Sequence, residues 1–239
     1  MINGKMILGI IPARGGSKGI LGKNAKEIAG KPLIAWTVEA AKQSKYIDRL
    51  IISTDSEEIA GIGRDVGVEI PFLRPSEIAQ DKSTGADVIL HTLNWFEGND
   101  LKFDYFIYLQ PTSPMRKSIH IDKAIEMIVL NGNADSLVSI SESSKHPHWM
   151  KTINKNGYIE NFLPSGTVYN NRQDLSAVYA LNGAIYICRW DVFVEDHSFY
   201  LRNCLPFVMD QVSSIDIDIN SDWEYAEYIL SNNLESIDI

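Results

Sequence analysis

Cysteine is scarce in this chain. The two present, Cys188 and Cys204, form no CxxC pattern. That excludes a disulfide framework, and a reducing cytoplasm is the simplest compartment to expect. Histidine is thin as well. Of the five, only His146 and His148 cluster, and an i, i+2 pair without further ligands makes no zinc site, so no structural metal is expected. Long apolar runs are missing. Met6–Ile11 is too short for a signal segment, and no stretch approaches a membrane span, so no membrane partner is expected. An excess of basic residues is missing too: the net charge is -9, which argues against a nucleic-acid partner, whose footprint would be a basic face.

What is present fits one domain of ordinary composition. A chain of 239 residues with 45% hydrophobic side chains can bury a real core and leaves little room for two full domains. Against the acidic total, residues 1–31 carry Lys5, Arg14, Lys18, Lys23, Lys26 and Lys31 and only one acid, Glu27. A local cluster of this kind invites a small anionic ligand.

Strand, loop and helix alternate along the chain. Met6–Ile11 reads as a strand buried on both faces, followed by a loop over 14–31 and a helix opened by Pro32. Leu50–Ser53 is a second strand, and Asp55 with Glu58 resembles a capping box. Val68–Phe72, Tyr105–Leu109, Ser136–Ser141, Ala184–Cys188 and Ser214–Ile219 read as further strands. Ala86–Trp95, 119–130 and Asp222–Leu230 read as helices. This rhythm predicts an α/β fold: a Rossmann-like, doubly wound, mostly parallel sheet, with ligands at the carboxyl ends of its strands. The rhythm breaks over about 142–181, where Trp149, Tyr158, Phe162, Tyr169 and Tyr179 show weak periodicity. That segment is either an insertion packing on a second subunit or an irregular part of the same core.

Pro12–Gly19 follows the first strand and combines glycines with Arg14 and Lys18; Lys23 comes shortly after. Glycines let backbone amides approach a ligand, and the cations can neutralise phosphate oxygens. A solvated turn is the bland alternative. No GK[ST] closes the loop, so it is not a Walker A sequence. Gly15–Gly19 does match G-x-S-x-G around Ser17. A serine-hydrolase elbow must run straight into a helix, which Gly22 and the late Pro32 oppose.

In Ser214–Ile219, aspartate and isoleucine alternate, placing Asp216 and Asp218 on one face. Carboxylates about 7 Å apart along a strand suit Mg²⁺ completed by water and phosphate oxygens. An amphipathic strand with its acids in water explains the same pattern. Gln110, Thr112 and Ser113 sit among prolines after a buried strand, and Asn182 and Tyr186 sit at the entry to another. Each set reads either as ligand contacts or as ordinary turn and strand packing.

Together these blocks resemble the acylneuraminate cytidylyltransferases: Ile11–Gly19 with Gly22-Lys23-Asn24, then Ser53-Thr54-Asp55, Leu109–Pro114, Asn182–Tyr186 and Ser214–Asp218, in that family's order. The resemblance implies a fold of the nucleotide-diphospho-sugar transferase type and transfer of CMP from CTP to an acidic nine-carbon sugar, with Mg²⁺ as cofactor. It implies a homodimer formed through the 142–181 insertion. Ala13, Arg14, Gly15, Ser17, Lys18, Lys23 and Asn24 would hold the nucleotide, with Ser83 and Thr84 near the base. Asp216 and Asp218 would bind the metal and, with Lys18 and Arg14, carry catalysis. Gln110, Thr112, Ser113, Asn182, Tyr186, Phe199 and Tyr200 would meet the sugar, and Arg172, with Lys151, would reach it from the partner subunit. Three positions depart from the family pattern: Leu21 stands where proline is usual, Ile219 replaces a threonine, and Asp81–Gly85 is an unusual version of the base-binding segment.

Overall fold

A computed structural model describes residues 1–163 and 175–232. In chain order the elements are β1 (Ile7–Pro12), β2 (Glu27–Ile28), β3 (Lys31–Pro32), α1 (Leu33–Lys42), β4 (Arg49–Ser53), α2 (Glu57–Asp65), α3 (Gly85–Glu97), β5 (Tyr105–Tyr108) and α4 (Ser118–Leu130). There follow β6 (Ser136–Glu142), β7 (Lys151–Ile153), β8 (Ile159–Asn161), β9 (Tyr179–Arg189), α5 (Trp190–Asp196), β10 (Cys204–Val208) and α6 (Asn220–Ser231).

Six strands form one sheet in the order β10-β6-β9-β5-β1-β4. β1 pairs parallel to β4 and β5, and β10 pairs parallel to β6; only β9 runs antiparallel to its two neighbours. Side chains of period two divide β1 between two cores. Ile7 and Ile11 join Ile34 and Val38 of α1, Ile59 of α2 and Ile125 of α4 on one face. Leu8 and Ile10 join Val88 and Leu93 of α3 and Phe193 of α5 on the other. A third cluster packs α6 against the loop after β1 through Ile20, Met115, Ile217 and Trp223. This cluster carries the 214–219 segment to the mouth of β1. No helix among the described residues is long and apolar enough to cross a membrane.

Several expectations need correction. Among the described residues Ser214–Ile219 pairs with no strand. Its backbone is extended, but Ile217 N–H donates to the Thr112 carbonyl and the Ile217 carbonyl accepts from Lys23 Nζ, so loops satisfy it instead of a ladder. Val68–Phe72 is reduced to isolated parallel bridges at Glu69 and Leu73 beside β4, because Pro71 interrupts the donors a ladder needs. The cap of α2 is Ser56, whose hydroxyl accepts from Ile59 N–H; Asp55 instead accepts from Gly15 N–H at 3.1 Å. The segment 14–31 is not wholly loop, since β2 and β3 form a short antiparallel pair at its end. β10, which no expectation covered, is an edge strand, the position at which its Pro206 is tolerated.

Between β6 and β9 the chain leaves the sheet and forms the antiparallel β7–β8 hairpin. Its apolar side chains face outward: Ile153 is 77% exposed, Tyr158 72% and Ile159 73%.

Candidate active site

A cavity of about 520 Å³ opens at the carboxyl ends of β1 and β5, within the size range of small-molecule sites. The loop after β1 forms one wall with Arg14, Ser17, Lys18, Lys23 and Asn24. Residues 78–85 form a second, Gln110–Thr112 a third, and Asp216 and Asp218 close the fourth.

The loop's shape is fixed by its own contacts. Asn24 Nδ2 donates to the Arg14 carbonyl at 3.1 Å, and Ser17 Oγ accepts from Lys23 N–H at 2.9 Å. A Cβ on Gly19 would lie 2.3 Å from the Asp218 carbonyl oxygen, so only glycine lets the loop press against that segment. Ala13 is fully buried and its N–H donates to Ser53, while the Gly15 amide is held by Asp55; neither lines the cavity. Lys23 is nearly buried. It donates to the Ile217 carbonyl and pairs with Asp218 at 3.3 Å. Arg14 and Lys18 both meet Asp81, at 3.2 and 2.5 Å.

Asp216 is the chemically unusual group. Burial is the main cause that raises its carboxyl above the ordinary value, and the charge of Asp218 adds to this; a hydrogen bond from Thr112 opposes both. Its Oδ1 is buried without a partner among the described residues. An under-neutralised carboxylate of this kind fits a cation. Among the described residues no three His, Cys, Asp or Glu side chains converge as a metal cluster, so the Asp216/Asp218 pair would need phosphate oxygens and water to complete a shell.

The residues expected at the sugar divide. Gln110 and Thr112 line the cavity. Ser113 is fully buried beside it, its hydroxyl unpartnered. Asn182 is a buried strut: its Oδ1 accepts from Ser139 Oγ and Ala184 N–H, and its Nδ2 donates to Ser214 Oγ. Gly183 next to it has φ +73°, and a Cβ there would lie 2.7 Å from Gln110 Oε1. The rings of Tyr186 and Phe199 lie 5.1 Å apart, tilted by 42°, and both contact Tyr108, which lines the cavity. Tyr186 is pushed up to about 12, mainly by burial and then by its neighbour Tyr200, which is exposed. Ser83 and Thr84 line the cavity, yet Ser83 Oγ bridges Glu77 and Gln80, and Thr84 caps α3 in a reciprocal pair with Asp87. Lys151 lies exposed on β7, bonded to Asn161, and Arg172 falls outside the described residues.

Sequence reasoning missed Arg74. It lines the cavity almost wholly buried, donates to the Ser53 carbonyl at 2.6 Å, and keeps its Nε–H unpartnered. Burial lowers its pKa. The signal was available: Arg74 ends a short apolar stretch at the carboxyl edge, as Arg14 and Gln110 do. Among the described residues no histidine stands beside Ser17 in the cavity lining, and its loop leads to β2 and not into a helix, so the described residues do not form the hydrolase geometry.

Comparison with known proteins agrees with this architecture. The CMP-N,N'-diacetyllegionaminic acid synthase of Legionella pneumophila is 38% identical over 97% of this chain and 99% of its own. The N-acylneuraminate cytidylyltransferase of Escherichia coli is 35% identical over 98% of this chain and 54% of its own length, so the chain spans about half of that enzyme. The structure of a CMP:2-keto-3-deoxy-manno-octonic acid synthetase complexed with CTP superposes with a TM-score of 0.72 over 95% of this chain and 99% of that one, at 18% identity, a likeness of fold. The family model for cytidylyltransferases matches residues 8–229, and the chain belongs to the cytidylyltransferase family.

Proposed function

We propose that this protein transfers CMP from CTP to the anomeric hydroxyl of a nine-carbon acidic sugar of the sialic acid type, releasing pyrophosphate. The observation that carries this is one cavity holding both a cationic glycine loop and the under-neutralised Asp216. Arg14, Lys18 and Lys23 would neutralise the phosphates. Arg74 would offer its free Nε–H, and the 78–84 wall its backbone, to the base. Asp216 and Asp218 would hold Mg²⁺, which when bound supplies charge neutralisation to phosphate oxygens. No histidine lines the cavity among the described residues, so the chain contributes chiefly by positioning the hydroxyl in line with the α-phosphorus and stabilising charge. Gln110 and Thr112 would orient the sugar, and the Tyr186–Phe199 wall would meet its acyl substituent.

N-acetylneuraminate is the first substrate to test. Legionaminic acid has a specific observation in its favour, since a relative 38% identical and covered over 99% of its own length is named for the N,N'-diacetyl form; pseudaminic acid is a further alternative, named for a relative 29% identical. The exposed apolar face of the β7–β8 hairpin supports a homodimer in which a second copy covers it. The test is pyrophosphate release from CTP and Mg²⁺ across these sugars. Release with one of them and none with its 2-deoxy analogue supports the assignment; silence with all of them contradicts it.

A further inference from the structure

The carboxylate facing the phosphate loop from the opposite wall has no role in the transfer described above. Asp81 pairs with Arg14 at 3.2 Å and with Lys18 at 2.5 Å, so one side chain engages two of the cations assigned to the triphosphate. The third, Lys23, is met by Asp218. Each of the three cations assigned to the phosphates therefore already has a carboxylate. We propose that Asp81 is a built-in competitor for the polyphosphate: it holds Arg14 and Lys18 in the free protein, yields them when the nucleotide binds, and recaptures them as pyrophosphate leaves. This rests on the CTP-binding role proposed for the cavity.

Both possible effects of such a carboxylate have to be weighed. It can shape the loop for binding, or it can compete with the ligand. The loop owes its shape to other contacts: Asn24 on the Arg14 carbonyl, Ser17 on Lys23, Asp55 on Gly15, and Gly19 against Asp218. Competition therefore decides the sign. The backbone around Asp81 is pinned on both sides, by Ser83 bonded to Glu77 and Gln80, and by the Thr84–Asp87 cap of α3. Release then needs only rotation of exposed side chains: Lys18 is 75% exposed and Asp81 48%. The hydrogen bond from Lys18, followed by the charges of Lys18 and Arg14, holds Asp81 below the usual carboxylate range, so it competes as an anion at neutral pH.

The experiment is calorimetric titration of inorganic pyrophosphate, CTP and cytidine, with Mg²⁺, into wild type and Asp81→Asn. Loss of two exposed ion pairs is expected to tighten pyrophosphate and CTP by about fivefold. Cytidine, which lacks phosphates, should bind both proteins equally. A purely structural residue would shift all three ligands together. The gain should vanish in about 1 M salt, where screening acts within ~3 Å. CTP binding with unchanged or weaker pyrophosphate affinity in Asp81→Asn overturns the role of Asp81 and leaves the nucleotide site standing. Absence of CTP binding from both proteins overturns the nucleotide site and this inference with it.

Discussion

At the end of the cavity proposed for the nucleotide Arg14, Lys18, Lys23, Arg74 and Asp216 all line one space, whereas at the end proposed for the sugar Ser113 and Asn182 turn back into the protein. The first end is assembled within a single chain. The second offers Gln110, Thr112 and an aromatic wall, and no cation among the described residues was assigned there apart from Lys151 on the exposed hairpin. The acidic sugar of the proposed function would need a positive partner, and Lys151 on the hairpin of a second copy is the one proposed for it. Under the proposed function, nucleotide capture would be an intrachain task and sugar capture an assembly-dependent one.

The largest effect should come from Asp216→Asn, the point where the two ends meet. Turnover is expected to fall about 10²-fold or more. Stability should move the other way. Burial raises the folded carboxyl above its ordinary 3.8, so the folded state binds more protons than the unfolded one in that interval. Stability is therefore lost as pH rises through it. Asparagine avoids that loss, so thermal melts at pH 7 should favour the variant, with the gap closing as pH falls towards 3.8. A variant less stable than wild type at pH 7 would contradict the account of Asp216.

Gly183→Ala should rank next. It combines φ +73° with a Cβ 2.7 Å from Gln110 Oε1 and 3.4 Å from Asp216 Oδ2. Displacing Gln110 should lower kcat/KM for the sugar about tenfold or more, with backbone strain of ~1–3 kcal/mol seen in denaturant melts. If the KM for CTP rises and the sugar kinetics stay unchanged, the division between the two ends fails. A smaller effect is expected from Lys18→Ala, whose charge lies on an exposed side chain: the KM for CTP should rise several-fold, up to about tenfold, with the sugar KM unchanged.

Much of this was legible in the residues. Continuous apolar runs marked β1 and β5, and glycines and lysines after β1 marked the loop, because a strand buried on both faces and a tight turn each demand such compositions. The Asp-Ile-Asp alternation placed both acids at the cavity and buried Ile217 correctly, yet it suggested a sheet strand. Period two describes any extended chain; it does not say whether a ladder or side chains such as Lys23 satisfy the backbone. The site residues Arg74 and Asp81 were hidden for a different reason. Their importance lies in contacts across the chain, to Ser53 and to Arg14 and Lys18, that no local pattern encodes. Asn182 shows the converse: a polar residue beside a glycine at a strand looks poised for ligand but is used by Ser139 and Ser214.

The division between the two ends is tested most directly with Ile153→Glu/Ile159→Glu, a register pair on the hairpin whose exposure spares the fold. CTP affinity and sugar-dependent pyrophosphate release would be measured on this variant beside wild type, with sedimentation to follow assembly. The account predicts CTP bound as tightly as by wild type, dissociation to single chains, and loss of sugar-dependent turnover. Single chains that turn over the sugar at the wild-type rate would contradict it.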